Sequence, residues 1–188
     1  KTVSEAVTYY AVFADKEEGS STPSEVASVT FKTSDSDSNQ AVTNISSIVS
    51  QSTGIASSEC TKVYQGKDGA KLGASKTAGS MTLTLSSTYT VSKVVVNASQ
   101  FGTDTGKLTV TAGSTQLGSK SPVSNLEFVA GTPVETNTIT IATSSKRAYV
   151  QSISVVAGGG VSYSNYSITC SGETAIDNNV VAPKAIKV

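Results

Sequence analysis

Short segments that alternate an apolar residue with threonine or serine recur along this chain, most clearly at residues 80–85 and 136–143. Threonine is β-branched and therefore suits an extended backbone. Alternation with a period of two places the apolar side chains on one face of a strand and the hydroxyls on the other. Two sheets built from such strands bury their apolar faces against each other, so the pattern predicts an all-β, antiparallel two-sheet sandwich.

The overall composition limits the classes of partner. The chain has 188 residues, which suffices for one domain with a real core plus appendages. Its 14 basic and 14 acidic residues cancel, and no basic run is dense enough to predict nucleic-acid binding. No apolar run approaches the roughly 20 residues that span a bilayer. The abundance of serine and threonine is typical of secreted bacterial β-modules, so we expect a secreted or cell-surface location.

Histidine and tryptophan are absent from the sequence. The absence of histidine removes the commonest general base and the commonest metal ligand. Sugar hydrolysis needs two carboxylates at a fixed separation, and the acidic residues are scattered through predicted loops. We therefore expect no catalytic residue, no cofactor and no enzyme activity.

The two cysteines are Cys60 and Cys170. Without histidine they cannot complete a four-ligand zinc site. One long-loop disulfide and two unpaired thiols remain open as alternatives, and a secreted location favours the disulfide.

Turn-forming residues separate many short alternating segments, which is typical of an all-β domain. Alternation in the first segment of the module places Ala27, Val29 and Phe31 on one face. Residues 94–96 are all valine, so both faces of this strand are apolar, which predicts a central strand. The predicted strands are residues 26–33, 61–65, 70–74, 80–85, 91–98, 106–112, 123–129, 136–142 and 147–157.

One segment, residues 41–50, has the spacing of a short amphipathic helix. Its apolar residues recur at intervals of three and four positions, and Asp37, Ser38 or Asn39 is available as an N-cap. Residues 51–59 are predicted to form a loop.

The apolar side of the alternating strands predicts the core. Each of these positions is expected to be buried: Leu83, Leu85, Val94, Val96, Leu108, Val110, Ile139, Ile141, Ile153 and Val155.

The organisation of the whole chain follows from its breaks in composition. Residues 1–18 are predicted to be the terminal strand of an upstream module, with strand 6–14 outside the sandwich core. Residues 19–25 form a polar linker and residues 26–157 the β-sandwich module. Residues 158–188 are predicted to hold one more strand and a linker to a missing sorting domain.

Five stretches resemble a β-sandwich accessory module of large secreted proteins from Gram-negative gut bacteria, a module similar to galactose-binding-like jelly rolls. They are residues 61–76, 79–85, 94–98, 104–110 and 147–155. Residues 8–14 resemble the closing strand of a small extracellular β-repeat, and residues 182–188 resemble the lead-in to a type IX secretion sorting domain. The resemblance implies a jelly roll and a place beside other domains of one polypeptide. It carries no defined binding or catalytic motif.

Tyr64, Asn97, Phe101 and Asp104 are the candidate ligand-binding residues. The loops at one end of a sandwich are where ligands usually bind. An aromatic face together with amide and carboxylate groups suits a sugar ring. The alternative is that residues 102–106 form a hairpin turn above a buried Phe101.

Asp35 and Asp37 are the candidate ligands of a structural calcium ion. An EF-hand is rejected, because Gln40 and Ser46 stand where that loop needs glycine and glutamate. A jelly-roll calcium site uses fewer carboxylates together with backbone carbonyls. The alternative is a polar loop that caps the predicted helix.

The positive charges of Lys146 and Arg147, next to Tyr149, predict a second candidate site, for an anionic sugar. The alternative is that Arg147 pairs with a carboxylate, as an arginine at the start of a strand more often does. The sequence as a whole predicts a non-catalytic accessory module that weakly binds a glycan or a protein. The alternative function is a purely structural spacer between domains.

Overall fold

The computed structural model describes residues 22–158, and the fold of this range is built from eleven β-strands. All strand pairs are antiparallel, which confirms the predicted all-β class and strand direction. The strands are β1 (Ser24–Phe31), β2 (Ala41–Val42), β3 (Val49–Thr53), β4 (Ile55–Thr61), β5 (Val63–Gly66), β6 (Gly69–Leu72), β7 (Ser80–Gln100), β8 (Leu108–Ala112), β9 (Thr115–Lys120), β10 (Leu126–Thr143) and β11 (Ala148–Ala157).

The strands pair in the order β2-β5-β6-β11-β7-β10-β8-β9, with β1 attached to β11, β3 attached to β1, and β4 attached to β7. The two longest strands, β7 and β10, pair with each other near both of their ends. Residues 80–85 of β7 lie between β4 and β10, whereas residues 91–100 pair with β11. The pairing therefore has two halves that share β7 and β10.

We call these the hydroxyl half and the aromatic half, after the side chains on their outer faces. The hydroxyl half contains β4, residues 80–85 of β7, residues 138–142 of β10, β8 and β9. The aromatic half contains β1, β2, β3, β5, β6, β11, residues 91–100 of β7 and residues 126–134 of β10.

Apolar side chains from both halves form one hydrophobic core. Leu83 and Ile139 enter it from the hydroxyl half, and Val96 and Ile153 enter it from the aromatic half. All ten predicted core positions are buried, which confirms the assignment of strand faces. Ala27, Val29 and Phe31 of β1 are buried as well, as their alternation predicts.

The predicted helix at residues 41–50 is wrong. Ala41 and Val42 form β2 and pair with β5, whereas Val49 begins β3 and pairs with Phe31. Ile45 and Ile48 are buried, and a single bond of 2.9 Å from the Ile48 N–H to the Ile45 carbonyl closes one turn between the strands. Pairing of both ends with neighbouring strands overrides a weak helical preference in a segment rich in serine and β-branched residues.

The proposed helix caps have other partners. The Ser38 hydroxyl accepts a hydrogen bond from the Gln40 N–H at 3.0 Å, which is a local turn. Asp37 bonds to residues distant in the sequence, described below.

Several predicted boundaries also differ from those in the structure. The segments predicted at 80–85 and 91–98 are parts of one strand, β7, and the segments predicted at 123–129 and 136–142 belong to β10. Residues 51–59 were predicted to form a loop, but residues 51–53 belong to β3 and residues 55–59 belong to β4. β9 was not predicted. Register shifts between Val129 and Val134 and between Thr136 and Thr138 let one long strand pair with β7 in both halves.

The predictions for residues 1–18, for strand 6–14 and for the segment after residue 158 lie outside the described residues, as does Cys170. Within residues 22–158 the structure contains no helix that could cross a membrane.

Candidate functional site

The outer face of the aromatic half carries a group of large side chains in adjacent strands. Antiparallel register places Tyr64 of β5 beside Lys71 of β6, and Lys71 beside Tyr149 of β11. On the opposite face, the neighbours Val63, Ala70 and Val150 are fully buried, so alternation turns the larger polar residues outward. Phe101, which follows β7, and Arg147, which precedes β11, complete what we call the aromatic cluster: Tyr64, Lys71, Phe101, Arg147 and Tyr149.

The cluster is held by cation–π and aromatic contacts. The Lys71 ammonium lies 4.8 Å from the centroid of the Tyr64 ring and 5.9 Å from that of Phe101. The guanidinium carbon of Arg147 lies 3.9 Å from the Phe101 centroid, and the Phe101 and Tyr149 centroids are 5.2 Å apart. Cations on ring faces and tilted ring pairs are both favourable geometries. The cations therefore occupy part of the ring surface that the sequence assigns to a ligand.

The carboxylates of the site balance its cations. Asp104 Oδ2 accepts hydrogen bonds from Arg147 Nε at 2.8 Å and from the Arg147 backbone N–H at 3.2 Å. These bonds and the positive charge lower the pKa of Asp104. The Arg147 side chain is still 29% exposed. This Arg147–Asp104 ion pair is the alternative to sugar binding that the sequence predicts for an arginine at the start of a strand.

Lys71 is almost wholly buried, although it carries a charge. Its ammonium donates a hydrogen bond of 3.0 Å to the Ser38 carbonyl. Burial lowers the pKa of Lys71, the negative charge of Asp37 opposes that change, and the charge of Arg147 adds to it. The ring faces, the carbonyl and the carboxylate together compensate for the desolvated charge.

Asp37 joins three segments of the chain. Its carboxylate accepts hydrogen bonds from the Tyr149 hydroxyl at 2.9 and 3.0 Å and from the Lys67 N–H at 2.9 Å. Burial, and then the bond to Asp37, raise the pKa of Tyr149 to about 12. Tyr149 is therefore protonated at neutral pH and acts as a hydrogen-bond donor.

Gly66 and Gly69 close the β5–β6 hairpin beside this tyrosine. A Cβ atom on Gly66 would lie 2.7 Å from the Gly69 carbonyl oxygen and 2.8 Å from Cε1 of Tyr149. The Tyr149 ring packs over the hairpin because Gly66 has no side chain. This contact sets the position of the phenol that reaches Asp37.

A second polar group lies on the same strands. The Gln151 amide donates hydrogen bonds to Asp68 at 2.6 Å and to the Ser99 hydroxyl at 2.8 Å. Ser99 is the register partner of Tyr149, so this amide–carboxylate group borders the aromatic cluster.

The structure brings together three of the four predicted ligand-binding residues. Tyr64, Phe101 and Asp104 belong to the cluster or bond to it. Asn97 does not: its amide donates to Ser152 at 2.8 Å, and its carbonyl oxygen accepts from the Asn125 N–H at 2.9 Å. Asn125 has a left-handed backbone conformation with φ of 54°. The hydrogen bond from its N–H to Asn97 stabilises the turn that leads into β10.

Asp35 and Asp37 belong to one loop but differ in environment. Asp35 is exposed, whereas Asp37 is partly buried and bonded to Tyr149 and Lys67. Among residues 22–158 no three histidine, cysteine or acidic side chains gather as a metal site would require. A calcium ion at this loop stays a prediction.

Lys71, Asp68 and Gln151 were not identified as site residues from the sequence. Lys71 and Gln151 lie on strands next to Tyr64 or Tyr149, and Asp68 lies in the turn between β5 and β6. The pairing order β5-β6-β11-β7 makes these positions neighbours, and the sequence does not state that order.

A groove of about 600 Å³ lies elsewhere, between β3, β4 and the turn that precedes β3. Ile45, Val49 and Ile55 give it apolar surface, and its polar lining is mostly serine. Near it, burial raises the pKa of the Cys60 thiol to about 11, so Cys60 is a poor nucleophile at neutral pH.

The comparisons with known proteins add no family. No protein-family model matches the chain, and no curated protein matches it.

Proposed function

We propose that residues 22–158 are a non-catalytic binding module of a secreted or cell-surface multidomain bacterial protein, and that it weakly binds a neutral glycan at the aromatic cluster. The observation that carries the proposal is the convergence of three aromatic rings and a partly exposed arginine on one outer sheet face. Aromatic surface beside hydrogen-bonding groups suits a sugar ring, whose faces are apolar and whose edges carry hydroxyls.

The geometry distinguishes the roles of the aromatic residues. The Arg147 guanidinium covers one face of the Phe101 ring, so Phe101 supports the position of Arg147. Tyr64 is partly exposed and serves as the stacking surface. The partly exposed Arg147 side chain and the Gln151–Asp68 pair at the border of the cluster serve as hydrogen-bonding partners for sugar hydroxyls.

The charge of the site favours a neutral sugar over an anionic one. Arg147 is paired with Asp104, and Lys71 faces Asp37. An anionic ligand would meet two carboxylates for the two cations, and it would gain little net attraction. Tyr149, one of the two phenols of the cluster, has a pKa too high for a general base at neutral pH.

For the fold itself, we propose a two-sheet sandwich of the galactose-binding-like jelly-roll type. The continuity of β7 and β10 through both halves supports it, as does the single hydrophobic core. A sandwich keeps its inner faces for packing and leaves outer faces and loops for recognition.

Isothermal titration of the chain against a panel of neutral and acidic oligosaccharides tests the function. We expect weak binding of a neutral member, lost in Tyr64→Ala and reduced in Phe101→Ala and Asp104→Ala. Asn97→Ala is the control, because Asn97 lies outside the cluster, and it should bind as the parent does. Binding that survives Tyr64→Ala would exclude this site, and turnover of any oligosaccharide would exclude a non-catalytic role.

A structural spacer is the second candidate function, and the mutual pairing of charges favours it. Within residues 22–158, no fully buried side-chain nitrogen or oxygen lacks a hydrogen-bond partner. A cluster that satisfies itself needs no ligand. The spacer is the better description if no oligosaccharide of the panel binds at millimolar concentration while the cluster variants lower the free energy of unfolding.

A further inference from the structure

The strand edges of this domain are protected very unequally. A strand edge presents unpaired backbone N–H and C=O groups, and proteins usually guard edges with lysine, short strands, bulges or a covering segment. β2 has only two residues. β9 ends in Lys120, whose ammonium donates a hydrogen bond to the Glu127 carbonyl of β10, and its pairing with β8 contains a register shift.

β4 is covered by a segment of the chain. The Cys60 N–H bonds to the Thr43 carbonyl at 2.8 Å, and the Ile45 N–H bonds to the Ser58 hydroxyl at 3.0 Å. The segment that precedes β3 therefore occupies the edge of β4 that faces away from β7.

Among the described residues, β3 has neither a lysine of its own nor a covering segment, and its protections are limited to its short length and one register shift. It pairs with β1 alone among the described strands, and its five residues, Val49–Thr53, include neither a charged residue nor proline. Four of the five are exposed. A register shift at the Val49 end is its sole irregularity, and it leaves the stretch from Gln51 to Thr53 regular.

The groove of about 600 Å³ lies along this strand. Val49 and Ser52 of β3 form one wall, with Ile55, Ser57 and Ser58 of β4 across from them. Val49 and Ser52 pair with Phe31 and Val29, whose side chains enter the core, so this wall faces the interior side of the sheet. A strand added to β3 would direct every second side chain into the groove.

We propose that β3 and this groove bind an extended, uncharged peptide segment by strand addition. The backbone of the peptide pairs with the β3 edge, and small apolar side chains at alternate positions contact Ile45, Val49 and Ile55. The lining contains no charged residue, so a charged side chain placed there would lose hydration without gaining a partner. Main-chain pairing supplies affinity, and the alternate side chains supply specificity.

The test uses the whole chain and a capped peptide of about nine residues in which threonine and valine alternate. We expect NMR shift changes and slowed amide exchange at Val49–Thr53. A peptide of the same composition with proline at its centre should bind far more weakly, because proline removes a ladder donor.

Ser52→Lys places a flexible cation on the β3 edge and should weaken binding by about tenfold or more. Ser119→Lys makes the same change on β9 and should leave binding unchanged. Equal thermal melts of the two variants show that both are folded.

Three outcomes overturn the proposal. They are no binding of the alternating peptide at millimolar concentration, equal binding by the two lysine variants, or protection of Val49–Thr53 that rises with protein concentration without peptide. The last outcome would assign the edge to a second copy of this chain.

Discussion

The outer faces of the two halves are built on the same alternation but behave differently. In the hydroxyl half the outward residues of β7, β8 and β10 are mostly threonines, and the Thr82 and Thr140 hydroxyls lie 2.9 Å apart across β7 and β10. In the aromatic half the outward residues include Tyr64, Lys71 and Tyr149, which link strands to a distant loop through Asp37. The hydroxyl face makes short-range contacts within its sheet, whereas the aromatic face joins separate segments of the chain.

The comparison teaches that alternation determines which residues face outward but not what they do there. Threonine side chains are short, so they reach only the neighbouring strand. Tyrosine, lysine and arginine span several ångströms, so they bring together residues that are far apart in the sequence. Three predictions ask whether the halves share one core but differ in the energetics of their outer faces, and a fourth follows one contact of the aromatic face with pH.

The largest effect is expected at the shared core. Leu83→Ala in the hydroxyl half and Ile153→Ala in the aromatic half should each lower the free energy of unfolding by about 2–5 kcal/mol, because both side chains are fully buried. Urea denaturation measures the change. If either variant had the same free energy of unfolding as the parent, the core would not be shared between the halves.

A medium effect is expected from the link between Tyr149 and Asp37. Tyr149→Phe removes a hydrogen bond to a carboxylate and should cost about 1–2 kcal/mol of stability by urea denaturation. Tyr64→Phe is the matched control, because among the described residues the Tyr64 hydroxyl makes no hydrogen bond, and it should change stability very little. Equal effects of the two substitutions would mean that the Asp37 link does not stabilise the aromatic half.

The same tyrosine predicts a pH dependence. The pKa of Tyr149 is raised from 10.0 to about 12 in the folded chain, so the unfolded chain loses this proton first as pH rises. Its stabilising contribution is complete below pH 10 and is lost as pH rises from 10 to about 12. Thermal melts across this range should show a steeper loss for the parent than for Tyr149→Phe. Parallel curves would contradict the raised pKa.

The smallest effect is expected on the hydroxyl face. Replacing both Thr82 and Thr140 with valine removes a hydrogen bond together with both of its partners, so the stability should change by less than about 1 kcal/mol. Valine keeps the β-branched shape that suits a strand. Urea denaturation of the double variant checks this, and a loss as large as that of Leu83→Ala would show that the hydroxyl face is more than a solvated surface.

The failures of sequence-based prediction have physical causes. Residues 86–90 interrupt the buried alternation of β7, and they resemble a turn in sequence. The segment contains neither glycine nor proline, however, so the strand continues through it. Residues 41–50 show the opposite case, in which apolar spacing predicts a helix while both ends pair with strands.

The candidate site was predicted in part for a related reason. Tyr64, Phe101 and Asp104 were identified because aromatic and carboxylate residues stand out near turns. Asn97 has the same appearance, but it fastens the turn at Asn125. The sequence carries no signal that separates a ligand-binding amide from one that satisfies a backbone N–H.

The sequence by itself determined the class of structure and the inward face of its strands. A period of two acts locally through the pleat of each strand, so the ten core positions follow from the order of residues alone. Only the tertiary structure decided which strands are neighbours, how β7 and β10 pair in both halves, and which outward side chains meet. Those outcomes depend on contacts between residues far apart in the chain, such as Asp37 and Tyr149, whose meeting no local pattern encodes.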